Sequence, residues 1–281
     1  MDRVRARLRP RAPRGGCRIP AVLVTGASTG IGEATARWLL ARGWDVWASV
    51  RRAGEAPEGT RELVFDVTDP VGIGHAATQV GELDALVANA GIAVAAPLET
   101  LPPDELARQL DVNVVGQLRC VQAFLPALRR RRGRVVLMGS IAGRSALPFL
   151  GAYAMSKFAL EAMADALRIE LAPEGMHVAI VEPGTIATPI WTKPQQNAEG
   201  LTPEQVARYG PRIEKFRAAA AARSAKGVSA DEVAKAVEHA LTSTRPRTRY
   251  LVGHDAKRRA HLQRVPDRLR DRMLTRFLFG D

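Results

Sequence analysis

Tyr153 and Lys157, in the stretch YAMSK that opens FALEAMADALRIEL, stand four residues apart in an alanine-rich helical pattern. At that spacing a phenol and an ammonium face the same way, and neither is needed to form the helix. A phenol with a pKa of about 10 is a poor acid–base group at neutral pH, but a cation held close stabilises the phenolate. Lys157 would thereby make Tyr153 a usable proton donor to a carbonyl oxygen, or acceptor from an alcohol. Ser140 ends the strand-like run GRVVLMGS, at the carboxyl edge where open α/β sheets bind ligands, and its hydroxyl can hold the same oxygen. Asn113 lies in LDVNVVGQLRCVQAFLPAL, where a buried amide must find partners; it could order a water that links Lys157 to solvent. Taken singly, these four residues read equally well as a packed Tyr, a solvated Lys, a capping Ser and a helix-bending Asn. Together, behind a dinucleotide motif, they read as a catalytic set.

That motif is AVLVTGASTGIGEATARWLLARG, an apolar strand running into Gly26, Gly30 and Gly32 and straight on into an amphipathic helix. Glycine lets the backbone turn tightly and lets a pyrophosphate approach the helix N-terminus, whose free N–H groups favour anions. The second strand then decides between the dinucleotides. An NAD site offers a carboxylate ~20 residues on for the ribose 2′-hydroxyl. Here that strand ends in Val50-Arg51-Arg52, and Asp45 lies at its far end. Arg51 suits a 2′-phosphate, with Ser28 and Thr29 as hydroxyl donors, so NADP(H) is favoured over NAD(H).

Apolar runs at 21–26, 44–50, 61–67, 85–91, 133–140, 177–184 and 249–253 alternate with helical patterns, the mark of a parallel sheet covered by helices. Thr202–Gln205 and Ser229–Glu232 have the form of capping boxes at helix starts. With 281 residues and 46% hydrophobic content, the chain can bury a large core. No apolar run approaches the ~18 residues of a membrane span. The five histidines show no metal-ligand spacing, so no metal is expected. Cys17 and Cys120 lie in unlike surroundings, which fits a reducing, cytoplasmic compartment.

The formal charge of +12 belongs to the ends. Residues 1–19 hold seven arginines against one aspartate, residues 245–281 eleven basic against four acidic residues, and residues 20–244 come to −1. The arm 1–19 has no apolar periodicity, so disorder is expected of it; contact with polyanions, or a start site placed too far upstream, are further readings. The expected organisation is this arm, one oxidoreductase domain over 20–255 and a basic amphipathic tail over 256–281. In the tail, Leu262, Val265, Leu269, Met273, Leu274, Phe277 and Leu278 recur at spacings of three and four. Packing on the body or on a sister subunit is the preferred reading, and peripheral contact with anionic lipid the other. Specific nucleic-acid binding is not expected, because the charge lies in tails and not on a recognition element.

The set TGASTGIG, Asp66-Val67, Asn89-Ala90-Gly91, Asn113, Ser140, Tyr153-x-x-x-Lys157 and Pro183-Gly184-Thr185 resembles the short-chain dehydrogenase/reductase family in its non-extended branch. The resemblance implies a Rossmann-type, doubly wound, seven-stranded parallel sheet with helices on both faces. By the same likeness Gly26, Ser28, Thr29, Gly30, Ile31 and Gly32 would cradle the cofactor and Asp66 and Val67 would border the adenine. Asn89, Ala90 and Gly91 would steady the central strand. Pro183, Gly184, Thr185, Ile186 and Thr188 would meet the nicotinamide, and Lys157 would bind its ribose as well as tuning Tyr153. A homodimer or homotetramer built on the helices of Asn113 and Tyr153 is also implied. LDVNVVGQLRCVQAFLPALRR, LPF at 147–149 and the helix from Tyr153 further resemble the 17-beta-hydroxysteroid and retinol dehydrogenase group.

After Thr188 the likeness fades. Residues 188–227 read as a substrate lid: a Pro/Gly/Gln segment and then two short helical patterns. Leu147, Phe149, Ile190 and Trp191 offer apolar lining, with Arg144 the only nearby cation before Lys193. The expected activity is NADP-dependent hydride transfer to or from a carbonyl or secondary alcohol of an apolar, lipid-, steroid- or retinoid-like molecule, with keto acids and sugars poor substrates. A catalytically weak, NADP(H)-binding regulatory protein on the same fold is the alternative, although none of Ser140, Tyr153 and Lys157 has been lost.

Overall fold

The short apolar runs at the centre of the chain's sheet become strands buried on both faces, and the amphipathic runs between them become the covering helices. The computed structural model describes residues 18–186, 202–224 and 227–280. β1 (Ala21–Val24) leads through the glycine turn into α1 (Gly30–Leu40), followed by β2 (Asp45–Val50) and β3 (Arg61–Val64). Next come α2 (Pro70–Gln79), β4 (Ala85–Ala88), α3 (Pro103–Leu110) and α4 (Gly116–Arg129), the last two joined without a break by a π-helical turn over Asp111–Val115. β5 (Arg134–Met138) precedes a 3-10 turn, Ile141–Gly143, and α5 (Gly151–Leu171). Then follow β6 (His177–Pro183), α6 (Pro203–Ser224), α7 (Ala230–Thr242), β7 (Arg249–Val252), α8 (His254–Leu262) and α9 (Asp267–Phe279).

The seven strands form one parallel sheet in the order β3-β2-β1-β4-β5-β6-β7. The winding reverses between β1 and β4, which opens a crevice at their carboxyl ends. Alternation along the strands divides the core. Leu23, Leu86, Leu137 and Ile180 pack with Phe124, Leu128 and Leu160 of α4 and α5. Val22, Val87, Val136 and Val181 pack with Leu39, Val233 and Val237 of α1 and α7.

A third apolar cluster stands apart from both. Leu147, Leu150, Phe216 of α6 and Leu278 and Phe279 of α9 are buried together, with Phe149 and Leu274 against them. Phe149 meets the rings of Tyr209, Phe216 and Phe279 edge-on, from a backbone φ of 66° that a bulky residue rarely adopts. The tail thus packs on the body through Leu274, Leu278 and Phe279, while Leu269, Met273 and Phe277 stay exposed.

Two local expectations need correction. The two short helical patterns before residue 227 are one helix, α6, which continues through Pro211. A proline costs a helix one hydrogen bond and a steric adjustment, and here Phe216 in the third cluster anchors the turns beyond it. Of the two capping boxes, Thr202 and Gln205 exchange both bonds, at 3.0 and 3.3 Å. At Ser229–Glu232 neither reciprocal bond forms: the Glu232 N–H goes to the Ser229 carbonyl at 3.2 Å instead of its hydroxyl, and the Glu232 carboxylate pairs with Lys235.

Candidate active site

The glycine turn shows why no larger residue fits. Gly26 has φ +65°, and a Cβ there would lie 2.9 Å from the Cα of Ala90. At Gly32 a Cβ would meet the carbonyl oxygen of Gly26 at 2.1 Å. Asn89 ties the turn to β4: its Nδ2 donates to the carbonyls of Thr25 (2.9 Å) and Gly26 (3.2 Å). Thr25 Oγ1 accepts from the backbone N–H groups of Asn89 and Ala90. α1 therefore begins at Gly30 with free N–H groups at the sheet's switch point, a cradle that fits a dinucleotide pyrophosphate. Ser28, Thr29 and Ile31 lie on this turn and at the start of α1.

Arg51 is exposed just past the end of β2, next to the glycine turn that Ala27 N–H ties to the carbonyl of Ser49. Asp45 sits at the opposite end, level with Ala21, where Arg61 engages it at 2.8 Å. Asp66 accepts from the N–H and hydroxyl of Thr68, and Val67 is buried against Gly116 of α4. Val67 thus lines the core side of its turn.

Tyr153 and Lys157, on the first turns of α5, are 8% and 4% exposed. A hydrogen bond joins the Tyr153 phenol to Ser140. Burial pushes that phenol up, while the Ser140 bond and the charge of Arg259 pull it back. The Lys157 ammonium lies 5.6 Å from the Tyr153 ring centroid and donates to the carbonyl of Met138 at 2.7 Å. Burial lowers its pKa to about 8. The charge of Arg259 of α8 also favours the phenolate, and nothing in the sequence pattern singled that arginine out.

Asn113 occupies the π-helical turn between α3 and α4, a local widening that aims its amide at the loop after β4. Oδ1 accepts from the N–H of Ile92 at 2.8 Å, and Nδ2 donates to the carbonyl of Ile92 and to Ser156 Oγ, each at 3.0 Å. Ser156 Oγ in turn donates to the carbonyl of Tyr153. Both amide hydrogens are thus committed to protein, which makes the Asn113 side chain a brace between the 92 loop and α5. The same close packing sets a Cβ on Gly91 3.2 Å from Asn113 Oδ1.

Pro183 ends β6, its carbonyl 3.5 Å from Ser140 Oγ. Gly184 and Thr185 follow, clamped from α8: Asp255 Oδ2 accepts from the N–H (2.7 Å) and hydroxyl (2.8 Å) of Thr185. A Cβ on Gly184 would collide with Asp255 Oδ1 at 2.1 Å. Ile186 is buried and bridges Val228. Thr188, Ile190, Trp191 and Lys193 lie outside the described residues, as does the arm before Arg18. Asp255 is a second residue that the sequence reading missed; a carboxylate three positions past a strand, at the carboxyl edge, was the available signal.

Arg144 is also placed differently from the expectation. Its guanidinium grips the fully buried Glu182 at 2.5 Å, so it serves β6 and is not free for a substrate.

A glycine cradle at the switch point and a Ser–Tyr–Lys set beside it, on this strand order, define the short-chain dehydrogenase family. A family model described as short chain dehydrogenase matches residues 20–199, and the chain belongs to that family of NAD(P)-dependent oxidoreductases. Among its relatives is the NADPH-dependent 3-dehydrocapnine reductase of Ornithobacterium rhinotracheale, 33% identical over 89% of this chain and 94% of that one. Human 17-beta-hydroxysteroid dehydrogenase type 1 is 39% identical over 61% of this chain and 58% of that one. A short chain dehydrogenase from Burkholderia cenocepacia, solved in complex with NADP, is 26% identical and superposes with a TM-score of 0.73 over 93% of this chain and 98% of that one.

Proposed function

We propose that this protein is an NADP(H)-dependent carbonyl reductase or alcohol dehydrogenase acting on an apolar ketone or secondary alcohol. The observation that carries the reading is the bonded Ser140–Tyr153 pair, sheltered from water, with Lys157 one turn along α5 and the glycine cradle alongside.

The cofactor supplies or accepts the hydride when bound. Gly26, Gly30 and Gly32 would receive its pyrophosphate, Arg51 its 2′-phosphate, and Pro183 to Thr185 its nicotinamide end. Ser140 holds the substrate oxygen and orients it, and Tyr153 delivers a proton to it in reduction or takes one in oxidation. Lys157 restores the proton and holds the ribose. Asn113 keeps α5 and the 92 loop in register, so that Tyr153 does not drift from Ser140.

The apolar substrate class is supported by the apolar segment Leu147–Leu150, which links the Ser140 turn to the helix of Tyr153 and carries no free cation. Each Å² of apolar surface that a substrate buries is worth about 25 cal/mol. Turnover efficiency in an NADPH-consumption assay should rise along a series of ketones of growing apolar size, and a flat series would remove the reading. Homodimers or homotetramers are proposed through the α4 and α5 surface, where Val115, Met155 and Phe158 are exposed. A cytoplasmic site with peripheral membrane contact is proposed from the exposed Leu269, Met273 and Phe277 of α9, flanked by Arg268, Arg272 and Arg276. No described helix is long and apolar enough to cross a membrane.

A further inference from the structure

Three amides are sunk beneath the loop that follows β4. Gln109, Asn113 and Gln117 are buried, at positions where an amphipathic helix would bury leucine. All three reach the same stretch of backbone. Gln109 Nε2 donates to the carbonyl of Ile92 at 2.8 Å, and its Oε1 accepts from the N–H of Val94 at 2.7 Å. Asn113 accepts from the N–H of Ile92 and donates to the same carbonyl. Gln117 Nε2 donates to the carbonyl of Ala90 at 3.2 Å. β4 has ended at Ala88, so these backbone groups have no strand ladder, and the amides stand in for one.

The π-helical turn keeps the row in line. Four residues advance an α-helix by about 400°, so positions 109, 113 and 117 would drift around the axis by about 40° at each step. The wider turn over Asp111–Val115 takes up that drift and holds the three amides toward one loop. Buried amides add little net stability over apolar side chains of the same size. What they add is bonds of fixed length and direction, which specify where the loop lies.

That placement is passed to α5 on both sides of Tyr153. On one side, Ser156 Oγ accepts from Asn113 and donates to the carbonyl of Tyr153 at 2.7 Å. On the other, the Ala96 N–H donates to the carbonyl of Phe149 at 2.9 Å, and Ala96 bridges Leu150, the residue before α5. We propose that Gln109 is a positioning residue for the reaction: by fixing Ile92 and Val94 it sets where Tyr153 stands relative to Ser140. Its own bonds go to the loop alone. This rests on the reading of Ser140 and Tyr153 as the proton-transfer pair and adds a member to its support.

Gln109→Met keeps the length of the side chain and removes both bonds. In the full-length protein, with NADPH and a medium-chain ketone as probe, kcat should fall about tenfold or more while the NADPH dissociation constant changes less than about threefold. A cycle with Ser156→Ala should show coupling, the double variant losing less than the product of the two single losses. A side chain that only stabilises the fold would lower the melting temperature, spare kcat below it and give independent losses in the cycle; that result would overturn the proposal. Hydrogen–deuterium exchange needs no turnover. Gln109→Met should speed exchange over 90–96 and also over 149–156, with 61–67 unchanged, and faster exchange confined to 90–96 would equally overturn it. Should Gln109→Met fail to fold, Gln109→Glu, which keeps the acceptor for Val94, carries the same exchange test. If the wild type consumes NADPH with no ketone, the reductase reading fails separately, and exchange still decides whether Gln109 sets α5.

Discussion

Asp255, the second residue of α8, holds Thr185 through both its backbone N–H and its hydroxyl, and so fixes the turn after β6 from a helix seventy residues further along the chain. Removing a charged acceptor of this kind costs ~1.5–3 kcal/mol. Asp255→Ala should therefore weaken NADPH binding about 10- to 100-fold by fluorescence titration, with the glycine turn intact. Unchanged affinity would mean that the turn holds its shape unaided.

Tyr153→Phe keeps the packing of α5 and removes the transferable proton. NADPH should bind near normally and turnover should fall to a trace, whereas Lys157→Ala should impair both. Appreciable turnover by the Phe variant would reject the proposed proton path.

Arg51→Asp replaces the proposed 2′-phosphate partner with the carboxylate that a ribose diol prefers. The ratio of NADPH to NADH affinity should fall by at least tenfold in parallel titrations. An unchanged ratio would make Arg51 a bystander.

Glu182 is buried between Arg144, Arg249 and Glu161. Burial first, and the charge of Glu161 second, raise its carboxyl from 4.5 to about 7, against the two arginines. The folded chain therefore keeps a proton that the unfolded chain releases above about pH 4.5, and the stability contributed by this group falls as pH climbs from there to about 7. Glu182→Gln should flatten the dependence of urea-melt stability on pH across that window. Parallel curves for variant and wild type would show Glu182 ionised throughout.

The outer face of α9 carries Leu269, Met273 and Phe277, none of which supports the third cluster. Changing Leu269 and Met273 to serine, which spares the ring of Phe277 against Arg223, should leave thermal stability intact and sharply reduce sedimentation with anionic vesicles. Equal sedimentation of variant and wild type would place any lipid contact elsewhere.

The central strands β1, β4, β5 and β6 were legible because a strand buried on both faces is written as an apolar run, and the glycine turn because its spacing has one structural purpose. Position along the chain also announced Ser140 and Tyr153 as neighbours. What stayed hidden is set by tertiary contact. Nothing local distinguishes Arg259 from the other arginines of its segment, and only the path of α8 over the Ser140 turn brings it to the phenol. Arg144 misled for the converse reason, since proximity to Ser140 in sequence said nothing of the buried Glu182 waiting on β6. The π-helical turn at Asn113 likewise follows from what its amide must reach, a loop twenty-one residues earlier.

The third apolar cluster draws its members from 147–150, α6 and α9, while the glycine turn, Ser140, Tyr153 and Lys157 all come from residues 26–157. The cluster and the Ser–Tyr–Lys set are thus contributed by different stretches of the chain. If that cluster shapes the substrate, substitutions in α6 and α9 should retune which molecule is accepted while α8, whose Asp255 holds Thr185, is left as it is.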